Sequence, residues 1–229
     1  MKFDHPKLQG VFLRRLTRFS VLVEVNGKEE PAYLPNSGRL QGVLSRGSRV
    51  LLVKKQAHHR KTNLNLILAY KGDTLISVDA RVPNQLIYEA LVENKLPEFK
   101  DYCSIKREVK YGKSRFDLLL TGGTERLFIE VKSVTLVREG VALFPDAPTE
   151  RGVRHLRELL KATWEGYRAA IVFCVQRNDA HTFSPNDDID PLFGQVLRRA
   201  KREGISLLAY ACKVSLEEIT IARKIPVVC

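Results

Sequence analysis

The sequence lacks the cysteine pattern of a zinc-binding or redox protein. Its four cysteines, Cys103, Cys174, Cys212 and Cys229, are scattered and form no C-x-x-C pair, so neither a zinc knuckle nor a dithiol motif is indicated. The first residues lack the apolar run of a secretory signal, and the longest apolar stretch, residues 169–175, is too short to span a bilayer. We therefore expect a cytoplasmic protein with reduced thiols and no membrane contact.

Two classes of ligand site are also missing. No sugar-site carboxylate pair and no nucleotide-phosphate loop is evident, so a sugar-metabolising enzyme has little support. Negative charge is in deficit, with 26 Asp+Glu against 38 Lys+Arg and a net charge of +12. An excess of this size favours a polyanionic partner such as nucleic acid, and an ordinary solvated basic surface is the alternative. Residues 1–80 carry a net +8 and residues 81–229 a net +4.

The first third of the chain has the sequence pattern of a small β-barrel. Val21, Val23 and Val25 alternate with other residues before an Asn26-Gly27 hairpin signal. Short β-rich segments follow at residues 49–54, 63–70 and 74–78, separated by polar turns. About five strands in 70 residues suit an OB-type barrel, whose open face commonly receives nucleic acid, and an SH3-like barrel would give nearly the same pattern.

Beyond residue 80 the pattern changes to alternating helices and strands, so we predict two domains, 1–80 and 81–229. Strands are expected at residues 104–110, 114–120, 125–137, 169–176 and 206–214. Helices are expected at residues 85–95, 149–167 and 191–203, with Thr149 as an N-cap. The second domain is therefore predicted to have a central mixed sheet flanked by helices, which makes the whole chain a mixed α/β protein.

The chemically informative segment is a predicted hairpin with charges in apolar strands. Glu130 and Lys132 must project from the same face of their strand, because side chains alternate along it. If the hairpin closes symmetrically about Gly122-Gly123, Asp117 lies opposite or diagonal to Glu130, at roughly 5 to 8 Å. Mg²⁺ would relieve the repulsion between two such carboxylates, with Mn²⁺ as a substitute, and Lys132 would assist phosphodiester cleavage. The alternative is a set of cross-strand ion pairs on a wet face.

These residues, and the chain as a whole, resemble known proteins. Asp117, Glu130 and Lys132, with a helical Glu89 upstream, resemble the signature of the PD-(D/E)XK nucleases. The chain as a whole is similar to the sugar fermentation stimulation protein A family. The segments that match that family are residues 35–40 (PNSGRL), 83–84 (PN), 111–117 (YGKSRFD), 129–132 (IEVK) and 144–156 (FPDAPTERGVRHL).

The resemblance implies an N-terminal OB-fold, a C-terminal PD-(D/E)XK nuclease-like domain, non-specific DNA binding and a regulatory role in sugar, especially maltose, metabolism. It also implies Asp117, Glu130 and Lys132 as catalytic residues, and Asp117, Glu130 and Glu89 as metal ligands. One departure is Phe116, where the nuclease signature places Pro. The alternative for Glu89 is a solvent-exposed position on its helix. Gln176 lies at the end of a predicted apolar strand and is either a functional group or a capping amide.

Basic residues give the candidate nucleic-acid contacts, with single-stranded or duplex DNA as the partner. Thr149 would cap a helix on which Arg151 and His155 share a face that presents positive charge to a phosphate, the alternative being an exposed flank. His155 as a zinc ligand is not expected, because no second ligand accompanies it. The candidates are Arg39, Arg46, Arg49, Lys54, Lys55, Arg60, Lys61, Lys113, Arg115, Arg151 and His155.

Two functions stay open from the sequence. A DNA-binding regulatory protein needs only the basic surface and predicts binding without metal. A Mg²⁺-dependent endonuclease needs Asp117, Glu130 and Lys132 and predicts that Lys132→Ala loses cleavage while keeping most binding. Both can hold at once, and a homodimer is a further possibility.

Overall fold

The first part of the molecule is a closed five-stranded barrel. The computed structural model describes residues 1–3, 5–54 and 62–229. β1 pairs with β2, β2 with β3, β3 with β5, β5 with β4, and β4 with β1, which closes the circle. This order, with β3 and β5 parallel, is an OB-type barrel, so that prediction is confirmed over the SH3-like alternative. The strands are β1 (Lys7–Thr17), β2 (Ser20–Val25), β3 (Lys28–Tyr33), β4 (Arg49–Lys54) and β5 (Leu64–Lys71), with β6 (Thr74–Ser77) added beside β5.

The barrel follows from alternation and turn chemistry. Val21, Val23 and Val25 are buried in its core while Leu22 and Glu24 are not. Asn26 and Gly27 both have positive φ, at 51° and 75°, as a two-residue hairpin of type I′ requires. The strand period and the hairpin signal therefore select one register, in which Val25 faces Lys28.

The second part is a six-stranded sheet covered by helices on both faces. The strand order is β15-β14-β12-β9-β8-β7, in which β9, β12 and β14 are mutually parallel and the outer pairings are antiparallel. The strands are β7 (Ser104–Tyr111), β8 (Ser114–Gly122), β9 (Glu125–Val134), β12 (Arg168–Val175), β14 (Ser206–Val214) and β15 (Ile219–Ile225). The helices are α1 (Val82–Val92), α2 (Glu150–Trp164) and α3 (Pro191–Arg202), and a short 3-10 helix spans Pro97–Phe99.

The two faces of this sheet hold separate apolar cores. On one face α1 buries Leu86, Ile87 and Leu91 against β-strand residues such as Ile129 and Val131. On the other face α2 and α3 pack on Phe128, Ile171 and Phe173 and their neighbours. β12 is buried on both faces, which explains its continuous apolar run.

The sequence prediction missed a small three-stranded sheet and the edge strand β15. The small sheet has the order β10-β11-β13 and is formed by β10 (Leu136–Arg138), β11 (Val141–Phe144) and β13 (Thr182–Pro185). β10 overlaps the end of the long strand predicted at residues 125–137, whereas the observed strand β9 ends at Val134. α1 begins at Val82 rather than at residue 85, because Pro83 occupies its first turn.

The barrel and the second part are joined by buried and partly buried polar contacts. Ser77 at the end of β6 donates its hydroxyl to Gln176 Oε1 at 2.8 Å, and Gln176 Nε2 donates to Ser133 Oγ at 2.9 Å. The Leu40 N–H donates to Asp146 Oδ2 at 2.9 Å across the two parts, whereas Asn36 Nδ2 donates to the Val78 carbonyl at the same distance within the first part. The boundary predicted at residue 80 falls between β6 and α1. Within the described ranges no helix is both long and apolar enough to cross a membrane.

Candidate metal and nucleic-acid site

Strand β9 presents Glu130 and Lys132 toward helix α2. Their neighbour Val131 packs in the opposite core under α1, and Lys132 Nζ donates to Glu130 Oε1 at 2.6 Å. The predicted shared face of Glu130 and Lys132 is therefore confirmed. The predicted alternative of a wet face is wrong, because Glu130 is only 3% exposed.

Glu130 is held by one of its two carboxylate oxygens. Its Oε1 contacts both Lys132 Nζ and His155 Nδ1. Its Oε2 is buried and has no hydrogen-bond partner among the described residues. Burial opposes ionisation, but Lys132 and the hydrogen bond from His155 outweigh it and hold the pKa of Glu130 below its ordinary value. The side chain is thus a buried carboxylate with one oxygen left unsatisfied.

His155 is held by helix α2 between Arg151 and Glu130. Arg151 Nε lies 3.4 Å from His155 Nε2. Because a guanidinium can only donate, His155 Nε2 accepts and the ring proton sits on Nδ1, facing Glu130. The exposed helix face expected for His155 is wrong, since this side chain is 3% exposed. It contacts the carboxylate of Glu130, which leaves it no surface to offer to a phosphate.

Asp117 lies where strands β8 and β9 separate. Their pairing runs to Leu118↔Ile129 and stops there, which leaves Asp117 beside Glu130. The core contacts of β8 change side at this point, since Phe116 packs in the α2 core and Leu118 in the α1 core. Asp117 Oδ2 accepts the Val131 N–H at 2.7 Å in place of a ladder carbonyl.

The environment of Asp117 favours its protonated form. Burial and the nearby charge of Glu130 raise its pKa from 3.8 to about 7, against the opposing effects of the Val131 N–H, Lys132 and Asn84. Asn84 Nδ2 donates to Asp117 Oδ1 at 2.5 Å. Two carboxyl groups therefore share a site that resists a second negative charge.

These features fit a hard divalent cation. An unsatisfied buried carboxylate oxygen is costly, and a cation would satisfy Glu130 Oε2 and relieve the repulsion that raises the pKa of Asp117. Both groups offer oxygen ligands, which Mg²⁺ and Ca²⁺ prefer. Across residues 1–3, 5–54 and 62–229, no group of three or more His, Cys, Asp or Glu side chains is placed to hold a metal ion, so the protein would supply two carboxylates at most. Water and phosphate oxygens would complete the shell.

Glu89 is not brought to this pair of carboxylates. Its Oε1 accepts from Gln85 Nε2 at 2.9 Å, and its Oε2 lies 3.5 Å from the Met1 amino group. The physical reason is helix geometry, because Glu89 lies more than one turn beyond Asn84, the α1 residue that contacts Asp117. The prediction of Glu89 as a metal ligand has no support from its position.

Three further residues that support the site were not assigned to it from the sequence. Asn84 bonds Asp117, His155 bonds Glu130, and Gln176 bonds Ser133, which follows Lys132. Asn84 and His155 stand in the segments that carry the family resemblance, which was the available signal. The predicted N-cap of α2 is confirmed, since Thr149 Oγ1 accepts from the Gly152 N–H at 3.0 Å.

The other candidate nucleic-acid contacts are spread over several elements. Arg49 stacks over the Tyr70 ring at 4.5 Å, and Arg115 pairs with Glu108 at 3.9 Å. Lys55, Arg60 and Lys61 lie outside the described residues, as do His58 and His59. The candidates that the structure describes at exposed positions are Arg39, Arg46, Arg49, Lys54, Lys113, Arg115 and Arg151.

The fold and the site define a class. An OB barrel precedes a mixed sheet that carries an Asp, a Glu-x-Lys and flanking helices, which is the plan of a nuclease-like protein with an added OB domain. Family models match both parts: "SfsA N-terminal OB domain" over residues 13–78 and "Sugar fermentation stimulation protein RE domain" over residues 81–218.

Full-length relatives give the family. A sugar fermentation stimulation protein homolog of Caldanaerobacter subterraneus subsp. tengcongensis is 45% identical over 100% of both chains. One of Desulforamulus reducens is 46% identical over 96% of this chain and 92% of its own. A solved structure described as Pyrococcus furiosus SfsA in complex with Ca²⁺ is 30% identical, has a TM-score of 0.92 and covers 100% of this chain and 98% of its own. The chain belongs to the sugar fermentation stimulation protein A family, as the sequence resemblance indicated.

Proposed function

We propose that this protein binds DNA and cleaves its phosphodiester bonds at a Mg²⁺ site formed by Asp117, Glu130 and Lys132, with Mn²⁺ able to replace Mg²⁺. The observation that carries the proposal is Glu130 Oε2, a buried carboxylate oxygen with no partner among the described residues, next to a second carboxyl group. The C-terminal part, residues 81–229, would hold the chemistry. The basic barrel, residues 1–80, would supply nucleic-acid binding.

A cation at this position has support from chemistry and from a relative. Asp117 and Glu130 would hold the ion, and the Pyrococcus furiosus protein is described in complex with Ca²⁺, which prefers the same oxygen ligands. When bound, Mg²⁺ would polarise a phosphoryl oxygen and lower the pKa of a bound water. Asp117 must give up its proton before it can act as a ligand, because its pKa is raised to about 7.

The chain's own residues would position the reacting groups. Lys132, held 2.6 Å from Glu130 Oε1, would orient the attacking water and stabilise charge on the phosphoryl oxygens. His155 and Lys132 both bind Oε1 of Glu130, so the carboxylate would keep Oε2 turned toward the ion. Val131 N–H and Asn84 would fix Asp117 in the same way.

The test is cleavage of labelled single-stranded, duplex and branched DNA with Mg²⁺, Mn²⁺ or EDTA. The wild type is compared with Asp117→Ala and Lys132→Ala, and with Glu89→Ala as a matched carboxylate control outside the site. We expect metal-dependent products from the wild type and from Glu89→Ala, and none from the other two variants. Intact substrate under every metal, or equal products from Lys132→Ala, would reject the catalytic proposal.

A second candidate is DNA binding without cleavage, in which the nuclease-like domain is a scaffold. Both oxygens of Asp117 already accept hydrogen bonds, and its raised pKa leaves it only partly ionised at neutral pH. Because the Asp117 oxygens are already hydrogen-bonded, the site favours DNA binding without cleavage. A regulator of sugar or maltose genes would need only DNA binding. The same experiment separates the candidates, because salt-sensitive binding in EDTA with no products under any metal supports the second.

A further inference from the structure

The exposed face of helix α2 carries a row of four cations that ends in Trp164, with Glu150 and Glu158 four residues to either side of Arg154. Its members recur every three or four residues and therefore lie on one side of the helix, and all five are exposed. The buried residues of α2, such as Val153, Leu156 and Leu159, face the sheet. We call this feature the α2 stripe, which consists of Arg151, Arg154, Arg157, Lys161 and Trp164.

The cations of the α2 stripe are poorly neutralised within the protein. Among the residues that the structure describes, Arg154 and Arg157 have no ion-pair or hydrogen-bond partner, and Lys161 meets Glu165 only at 3.8 Å between exposed groups. Like charges three or four residues apart destabilise a helix. The stability of α2 therefore does not account for the stripe, whereas a bound polyanion would remove the repulsion.

The stripe begins at the candidate active site and leads away from it. Arg151 contacts His155, which contacts Glu130. From Arg151 to Trp164 the helix advances about 20 Å, at 1.5 Å per residue. At the 3.4 Å per nucleotide of a strand in duplex DNA, that length corresponds to about six nucleotides, and a more extended single strand would cover it with fewer.

Helix α3 widens the basic surface beside the stripe. Arg199 and Arg202 of α3 and Arg157 of α2 border a groove of about 250 Å³, together with Leu192, which is 46% exposed. Arg199 also lies over the Trp164 ring, 6.0 Å from its centre, and Arg199 Nε and Trp164 Nε1 both donate to the Glu203 carboxylate, at 2.6 and 3.0 Å. Basic groups on two helices thus converge on the far half of the stripe.

Trp164 gives the surface a group suited to bases. Its side chain is 66% exposed, although burial of a tryptophan is strongly favourable. Exposed aromatic rings next to a basic track are what proteins that bind single strands use for stacking. Trp164 is also the single tryptophan of the sequence, so its fluorescence reports this end of the stripe alone.

We infer that the α2 stripe is the track for the phosphate backbone of a single DNA strand passing from the active site, with a base stacked on Trp164 at its end. The inference rests on the proposed function for the position of the scissile phosphate. It adds a binding surface on the C-terminal part, separate from the basic barrel. Arg154 and Arg157 would each contact one phosphate.

The test measures binding of a fluorescein-labelled 15-nucleotide oligo(dT) by anisotropy in EDTA, between 50 and 200 mM salt, and so does not depend on cleavage. Arg154→Ala/Arg157→Ala is compared with Lys95→Ala/Lys100→Ala, which removes two exposed positive charges beside α1. Two lost phosphate contacts should reduce the slope of log K against log salt by about 1.4, at about 0.7 per contact on a single strand. The control variant should keep the wild-type slope.

A parallel titration with unlabelled oligo(dT) follows Trp164 emission, which should be quenched on saturation. A 15-base-pair duplex forms a second arm of the anisotropy measurement. Equal slopes in the two double variants, unchanged Trp164 emission, or an effect confined to the duplex would each overturn the inference. Failure of the wild type to bind any DNA would instead reject the proposed function, and binding with intact substrate in Mg²⁺ would reject only its catalytic part.

Discussion

The raised pKa of Asp117 makes the stability of the fold depend on pH in a defined direction. A carboxyl group with a folded-state pKa of about 7 and an ordinary value of 3.8 binds its proton more tightly in the folded protein. Stability from this group is therefore full below pH 3.8 and is lost as pH rises toward 7. At 1.36 kcal/mol per unit the complete loss is about 4 kcal/mol, of which about 2.5 kcal/mol falls between pH 5 and pH 8.5.

The variant that isolates this effect is Asp117→Asn. An amide can still accept the Val131 N–H through its oxygen, and Asn84 can reverse its own amide to accept from the new NH₂ group. The measurement is urea unfolding of wild type and variant in EDTA at pH 5 and pH 8.5. We expect the variant to gain about 2.5 kcal/mol relative to wild type between the two pH values.

A pH-independent difference between the two proteins would refute this reasoning. It would mean that Asp117 is ionised across the range and that Glu130 does not oppose its charge. Other groups, such as Glu130 with its lowered pKa, lose their stabilising effect as pH falls. Glu130 stays ionised from pH 5 to pH 8.5 in both proteins because its pKa is lowered, and groups distant from Asp117 act equally in both proteins and cancel in the difference.

Three other changes test the packing and the site. His155→Ala should weaken Mn²⁺ binding by about 10- to 100-fold in a calorimetric titration, because Glu130 loses a donor that orients it, and an unchanged affinity would contradict this. Gln176→Leu removes the hydrogen-bond partner of the Ser77 and Ser133 hydroxyls and should lower the urea-unfolding free energy by about 2 to 4 kcal/mol. A loss below about 1 kcal/mol would count against the hydrogen-bonded link through Gln176. Phe173→Ala should cost about 3 to 5 kcal/mol in the same measurement, because this ring is fully buried, and a near-neutral effect would contradict the described core.

Local patterns predict much of this fold because they are decided within a few residues. The Val21 to Val25 alternation and the Asn26-Gly27 turn fix a hairpin without help from the rest of the chain. β4 and β14 match their predicted bounds for the same reason. The shared face of Glu130 and Lys132 follows from strand geometry alone.

The features that the sequence did not predict depend on contacts between residues that are far apart in the chain. β11 is only four residues long and pairs in parallel with β13, about 40 residues further on, so neither strand has a local signal. His155 looked exposed because its partner Glu130 lies on another element. Glu89 looked like a ligand because a helix pattern does not reveal which turn meets Asp117. Long-range packing decides each of these positions.

The most direct test of the central claim is a calorimetric titration of Mn²⁺ into wild type and Glu130→Gln at pH 7, in two buffers that differ in ionisation enthalpy. We predict one site in the wild type with proton release, because Asp117 must ionise to bind the metal, and no site in the variant. Gln cannot offer the anionic oxygen that Glu130 Oε2 supplies. Equal binding by the two proteins, or no binding by the wild type, would contradict the metal site proposed for this family member.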